Sequence, residues 1–166
     1  MVEKEREMRG QKIRIGGIIQ NRNLAKIGVM SIPDRPGVAG ALLSALGERG
    51  INVAFIVHTT DLNNLDNVVI CVTPEDLTAA LEVLHTIKET VGAQEIVHDQ
   101  QVGIVSIFGP HFGERPGIAG MMFSALASAG INILAISTSI STASCLIDVY
   151  DMDEAVEVLQ ETFELP

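Results

Sequence analysis

Aromatic side chains are scarce: the 166-residue chain has no Trp, one Tyr and five Phe. A four-stranded sheet that reads RNA stacks bases on aromatics of its central strands, so that class is excluded. Basic charge is short as well. Eleven Lys and Arg stand against 21 Asp and Glu, a net charge of −10, whereas nucleic acids and anionic membrane surfaces are met by clustered cations that displace counterions. Neither partner is expected. Cysteine is limited to Cys71 and Cys145, each inside an apolar run, "VVICVT" and "SCLIDV", where a free thiol behaves as a small hydrophobe. The first residues, "MVEKEREMRGQK", contain no apolar h-region, and with so little cysteine a reducing, cytoplasmic setting is expected. No apolar run reaches the roughly 20 residues that span a bilayer.

The chemistry of catalysis is missing too. His58, His85, His98 and His111 have neither metal-ligand spacing nor a nearby Cys, so no metal site is expected. The only lysines are Lys4, Lys12, Lys26 and Lys88; none ends a Gly-rich phosphate loop, and no nucleophile elbow occurs. We therefore expect no catalytic residues and no cofactor.

What is present is a sentence written twice. Between Arg35–Asn52 and Arg115–Asn132, eleven of eighteen positions are identical, including Pro-Gly at the start and Gly-Ile-Asn at the end. Apolar patterning alone would repeat residue classes, not these residues, so the chain holds two copies of one unit. With 47% hydrophobic residues there is material for two ordinary cores.

The first copy reads as a strand "KIGVMSI", a "PDRPG" loop, a helix ending at Gly50, an almost wholly apolar strand "INVAFIVH" that suits a buried central position, a hairpinned strand "DNVVICVT", a helix from Pro74 and a brief strand "QEIVH", each from its periodicity and its Pro or Gly punctuation. The second copy repeats the order but stops after its second helix. This is α+β: two ferredoxin-like βαββαβ sandwiches, each a four-stranded antiparallel sheet with two helices on one face. The opening "KIRIGGIIQ" is a strand with no place in the first copy, separated from it by the turn-like "QNRN". We expect residues 1–11 to be a flexible arm, 22–100 the first domain, and 12–21 with 101–166 the second. Ile13 to Gln20 would then be its fourth strand, with Ile13, Ile15, Ile18 or Ile19 buried against its helices.

Each copy offers a tight Pro-Gly loop and the exposed amides of a helix start, which favour a carboxylate. Asp34, just before the first loop, can hold an ammonium. An amine acceptor beside carboxylate donors is what recognition of a free α-amino acid requires.

"IPDRPGVAGALLSALGERGINVAFI" resembles the opening of an ACT domain, the small-molecule sensor attached to many amino-acid biosynthetic enzymes. Tandem copies joined by "HDQQVGIVSIFG", with "GINILAISTS" in the second, resemble the regulatory region of aspartate kinase over about Ile15 to Leu165. The resemblance implies a non-catalytic module, a separate subunit or a tail, which binds threonine, lysine or both and acts on a kinase catalytic subunit or domain. It also implies a homodimer. Its effector site would use Asp34, Gly37, Val38, Ala39 and His58 of the first copy with Asn132 and Ile133 of the second; a second site would lie around Ala119, Ser137 and Ser139. Ala54 and His58 stand where the family has an acid and a Gln, and Leu134 and Ile140 where acids are common. Two rival readings follow: a free-standing sensor for another enzyme, or a dimerisation scaffold whose pockets are filled by Leu134 and Ile140.

Overall fold

A computed structural model of the chain describes residues 12–110, 112 and 116–166; the arm expected over residues 1–11, together with His111 and Arg115, lies outside them. Among the described residues eight strands and four α-helices follow in the order β1 (Ile13–Arg14), β2 (Gly17–Pro33), α1 (Val38–Glu48), β3 (Phe55–Thr60), β4 (Leu65–Val72), α2 (Leu77–Val91), β5 (Glu95–Phe108), α3 (Ile118–Ser128), β6 (Ala135–Thr138), β7 (Thr142–Asp148), α4 (Met152–Thr162) and β8 (Phe163–Glu164). The chain divides into two compact units, Asn23–Val102 and a second made of Gly103–Pro166 with the described residues up to Arg22.

In the unit 23–102 the strand order is β3-β4-β2-β5, with β4 antiparallel to both β2 and β3. Alternate residues of these strands, Ala25, Ile27 and Val29 with Val68, Ile70 and Val72, form one face and are buried with Leu42 and Leu46 of α1 and Ala80 and Leu84 of α2. The stretch expected as a buried central strand is instead an edge. Strand structure begins only at Phe55, β3 has one neighbour, and Ile56, His58, Thr59 and Thr60 are exposed. Ile51 and Val53 account for the misleading apolar run: they close the core behind α1 before the strand starts.

In the other unit the order is β2-β5-β7-β6, and Ile15, Val105, Ile107, Met122, Leu126, Ile147, Leu159 and Phe163 make its core. The N-terminal segment is used in two pieces. Ile13–Arg14 pairs in parallel with β8, and the first residues of β2 run beside β5. Ile15 is buried, Ile13 and Ile18 are partly so, and Ile19 is exposed. Gly16 and Gly17 lie against the Phe108 ring, where a Cβ on either would come within 2.8 Å of a ring carbon; the two glycines permit that approach. "QNRN", expected as a turn, is part of one continuous strand, its side chains exposed and its backbone in the sheet. No helix among the described residues is long and apolar enough to cross a membrane.

Both cysteines are fully buried. Burial pushes the Cys71 thiol up to about 12, with Lys26 pulling weakly the other way, and burial alone pushes Cys145 up to about 12. Above the ordinary value of 9.0 the unfolded chain releases these protons while the folded chain keeps them. Stability should therefore fall as pH rises from 9.0 towards about 12, by about 1.4 kcal/mol per pH unit for each thiol. Urea titrations across this window should show a shallower decline in a Cys71→Ala/Cys145→Ala variant; an equal slope would count against the thiols as the cause.

Candidate functional site

β2 of the first copy does not run straight into its loop. Its register against β4 shifts between Val29 and Ile32, and Ser31 adopts φ 56, a left-handed conformation uncommon outside glycine. The Ser31 N–H donates to Asn67 Oδ1 at 3.0 Å, which offsets part of that cost. The bulge re-aims the chain, and two further bonds fix the loop: the Asp34 N–H donates to the Asn64 carbonyl at 3.1 Å, and Arg35 Nη2 donates to the Thr90 carbonyl at 2.6 Å. The Asp34 side chain is left exposed.

Gly37 then takes φ 100 and starts α1 with no side-chain cap. Gly117 does the same for α3 at φ 93. A Cβ would meet nothing within 4 Å at either glycine, so backbone conformation, not space, demands the residue. Within α1 the first intrahelical bond runs from the Ala41 N–H to the Gly37 carbonyl. The amides of Val38, Ala39 and Gly40 thus lack a helical acceptor, and with the helix dipole they favour an anion.

Across the sheet from this loop stands a buried acid. Asp66 pairs in register with Ile32 and Thr60 and is 1% exposed. Thr60 Oγ1 donates to its Oδ1 at 2.8 Å. His58 Nε2 lies 3.1 Å from Oδ2, with the His58 side chain 38% exposed. That nitrogen is within ion-pair distance without the alignment of a hydrogen bond, and Oδ2 accepts none.

In the second copy, Pro116, Gly117, Ile118 and Ala119 meet Phe112, Thr138, Ser139, Thr142 and Ala143 around a cavity of about 220 Å³. The cavity has room for a ligand of the size of a small amino acid. Its polar side chains are hydroxyls; no ionisable side chain lines it among the described residues.

Family profiles for the ACT domain match residues 27–89 and 105–163. The regulatory subunit of aspartate kinase from Thermus thermophilus, solved ligand-free, is 31% identical, with 90% of this chain and 99% of that one covered at a TM-score of 0.83. A crystal structure of aspartokinase alpha and beta subunits gives 34% identity, 89% and 97% coverage and a TM-score of 0.82. The chain belongs to the ACT-domain regulatory regions of aspartate kinase. The aspartokinase of Pseudomonas aeruginosa is 35% identical over 99% of this chain, which spans 40% of that enzyme's length. The chain thus covers about two fifths of such longer relatives and corresponds to their regulatory part.

In the first ACT domain, Asp34, Gly37, Val38 and Ala39 stand on one loop and helix start, and His58 sits on β3 beside Asp66. Asn132 and Ile133 belong to the other unit, between α3 and β6, the first exposed and the second partly buried against its core. In the second ACT domain Ala119 and Ser139 line the cavity, whereas Ser137 does not. Leu134 and Ile140 do not fill it either: they are 40% and 84% exposed. Sequence reasoning passed over Thr138, Thr142, Thr60 and Asp66. Thr138 was accessible, since it occupies in the second copy the place of His58 in the first. Asp66 had a signal as well: in "LDNVVICV" it shares the alternation of Val68, Ile70 and Val72, so an acid falls on the core face.

Proposed function

We propose that the chain is the amino-acid-sensing module of an aspartate kinase, and that its effector is threonine first and lysine second. The reading rests above all on the uncapped start of α1 at Gly37 beside the exposed Asp34 carboxylate, in a chain homologous over its length to regulatory subunits. The amides of Val38 and Ala39 take the effector's carboxylate and Asp34 takes its ammonium. Both groups of every α-amino acid are thereby met, and His58 is left to face the side chain. The hydroxyl-lined cavity of the second ACT domain is a second site for the same class, having carboxylate donors and, among the described residues, no acid for the amine. The module works as a cytoplasmic homodimer on a kinase catalytic subunit or domain, and an effector that prefers one of two states biases that partner by the usual 1–3 kcal/mol or so.

Thermal unfolding of the whole chain against each of the proteinogenic amino acids tests this. Threonine at about 100 times its Kd should stabilise by about 2.7 kcal/mol, seen as a rise in Tm. No response to any amino acid overturns the reading in favour of a scaffold. A response confined to amino acids other than threonine and lysine replaces it with a sensor for another enzyme.

A further inference from the structure

The pair Asp66–His58 is not used by the loop chemistry just described, and a buried acid without a full set of partners is costly. Asp66 has one oxygen served by Thr60 and the other facing only His58 Nε2 at 3.1 Å. A small rotation of the imidazole brings Nε2–H onto Oδ2 and removes the deficit. Once Nε2 carries the proton for the carboxylate, the neutral ring has a lone pair on Nδ1. Nδ1 has no partner among the described residues, and the ring reaches solvent at the end of β3. Asp66 is itself in register with Ile32, two residues before Asp34. Thr60, Asp66 and Ile32 therefore share one row across β3, β4 and β2, with His58 two residues before Thr60 on β3 and the amino-acid loop starting two residues after Ile32. The second copy has no equivalent: Thr138 stands opposite Ala143 as His58 stands opposite Val68, and two residues before Ala143 is Ser141, not an acid.

We propose that Asp66 is a positioning residue for effector choice. It locks the His58 ring by Nε2 and so presents Nδ1 as a hydrogen-bond acceptor, giving the site a preference for an amino acid with a donor group on its side chain. The inference rests on the amino-acid reading above. A site built to accept a hydroxyl rejects the isostere that lacks it, because its own polar group is then left unpaired. Threonine and valine differ in just that way while sharing the carboxylate and ammonium.

Calorimetry of the full chain with threonine and with valine, wild type against Asp66→Asn, measures the effect. Ring ¹⁵N spectra of His58 in the unliganded protein provide a readout that loss of packing alone would not give. The wild type should show the Nε2–H tautomer and bind threonine at least about tenfold more tightly than valine. In Asp66→Asn, which keeps an acceptor for Thr60, the tautomer should become mixed and the threonine-to-valine ratio fall towards one, with valine affinity little changed. If that variant does not fold, His58→Ala, altered at an exposed ring, should give the same collapse of the ratio. An unchanged ratio, or equal weakening of both amino acids, overturns the proposal and leaves the sensor reading standing. If the wild type binds no amino acid at all, both fall together.

Discussion

Removal of residues 1–22 should unfold the unit built on the second copy while Asn23–Val102 stays folded. Ile15 is buried in that unit's core; its N–H donates to the Glu164 carbonyl at 2.9 Å, and the Gly16 N–H donates to the Phe108 carbonyl at 2.7 Å. Ile13–Arg14 holds β8, and the start of β2 closes the sheet against β5. Burial of one Ile contributes about 2 kcal/mol, and each ladder bond about 1 kcal/mol. With several such bonds lost, the deficit matches the few kcal/mol by which a domain of this size is stable at all. Arg22 adds a salt bridge to Asp153 at 2.5 Å, whose hydrogen bond and charge hold the Asp153 carboxyl below its ordinary value; being at the surface, the pair adds little. Amide hydrogen exchange reads the result directly: β7 and the second half of β5 should lose protection while β3 and β4 keep theirs. Persistent protection in β7 would show that the segment is an ornament rather than a strand of that fold.

Asp34→Ala should weaken the response to amino acids about ten- to a hundredfold without disturbing the fold. The Asp34 side chain makes no hydrogen bond or ion pair among the described residues, and the bond to the Asn64 carbonyl is made by the backbone N–H, which alanine keeps. A charge-assisted bond to an ammonium contributes roughly 1.5–3 kcal/mol, so affinity should fall about ten- to a hundredfold, for threonine and valine alike because both carry the ammonium. This separates Asp34 from Asp66, whose loss should act on threonine alone. Calorimetry giving an unchanged Kd would remove Asp34 from the site and leave the helix-start amides as its remaining support.

The sequence by itself determined everything that depends on neighbours along the chain. The repeated Pro-Gly and Gly-Ile-Asn marked two copies and both ends of α1 and α3, since a left-handed residue before a helix and a stop after it are local backbone requirements. Period-3.6 and period-2 patterns delivered the helices, the β3–β4 hairpin and the apolar faces, because a stripe of side chains is set by residue spacing alone. Counting elements in each copy also exposed the orphan N-terminal strand.

Only the tertiary structure decided what depends on neighbours across the sheet. "QNRN" reads as a turn because its side chains are polar, yet it lies within β2; backbone hydrogen bonding is indifferent to side chains that face solvent. β3 read as central from its apolar approach and is an edge, because hydrophobicity reports burial and not how many strands pair with it. His58 and Asp66 are eight residues apart with no motif to join them. They meet because the hairpin register sets His58 and Thr60 alongside Asp66, and register is fixed by pairing over the whole length of two strands, a quantity no short stretch of sequence carries.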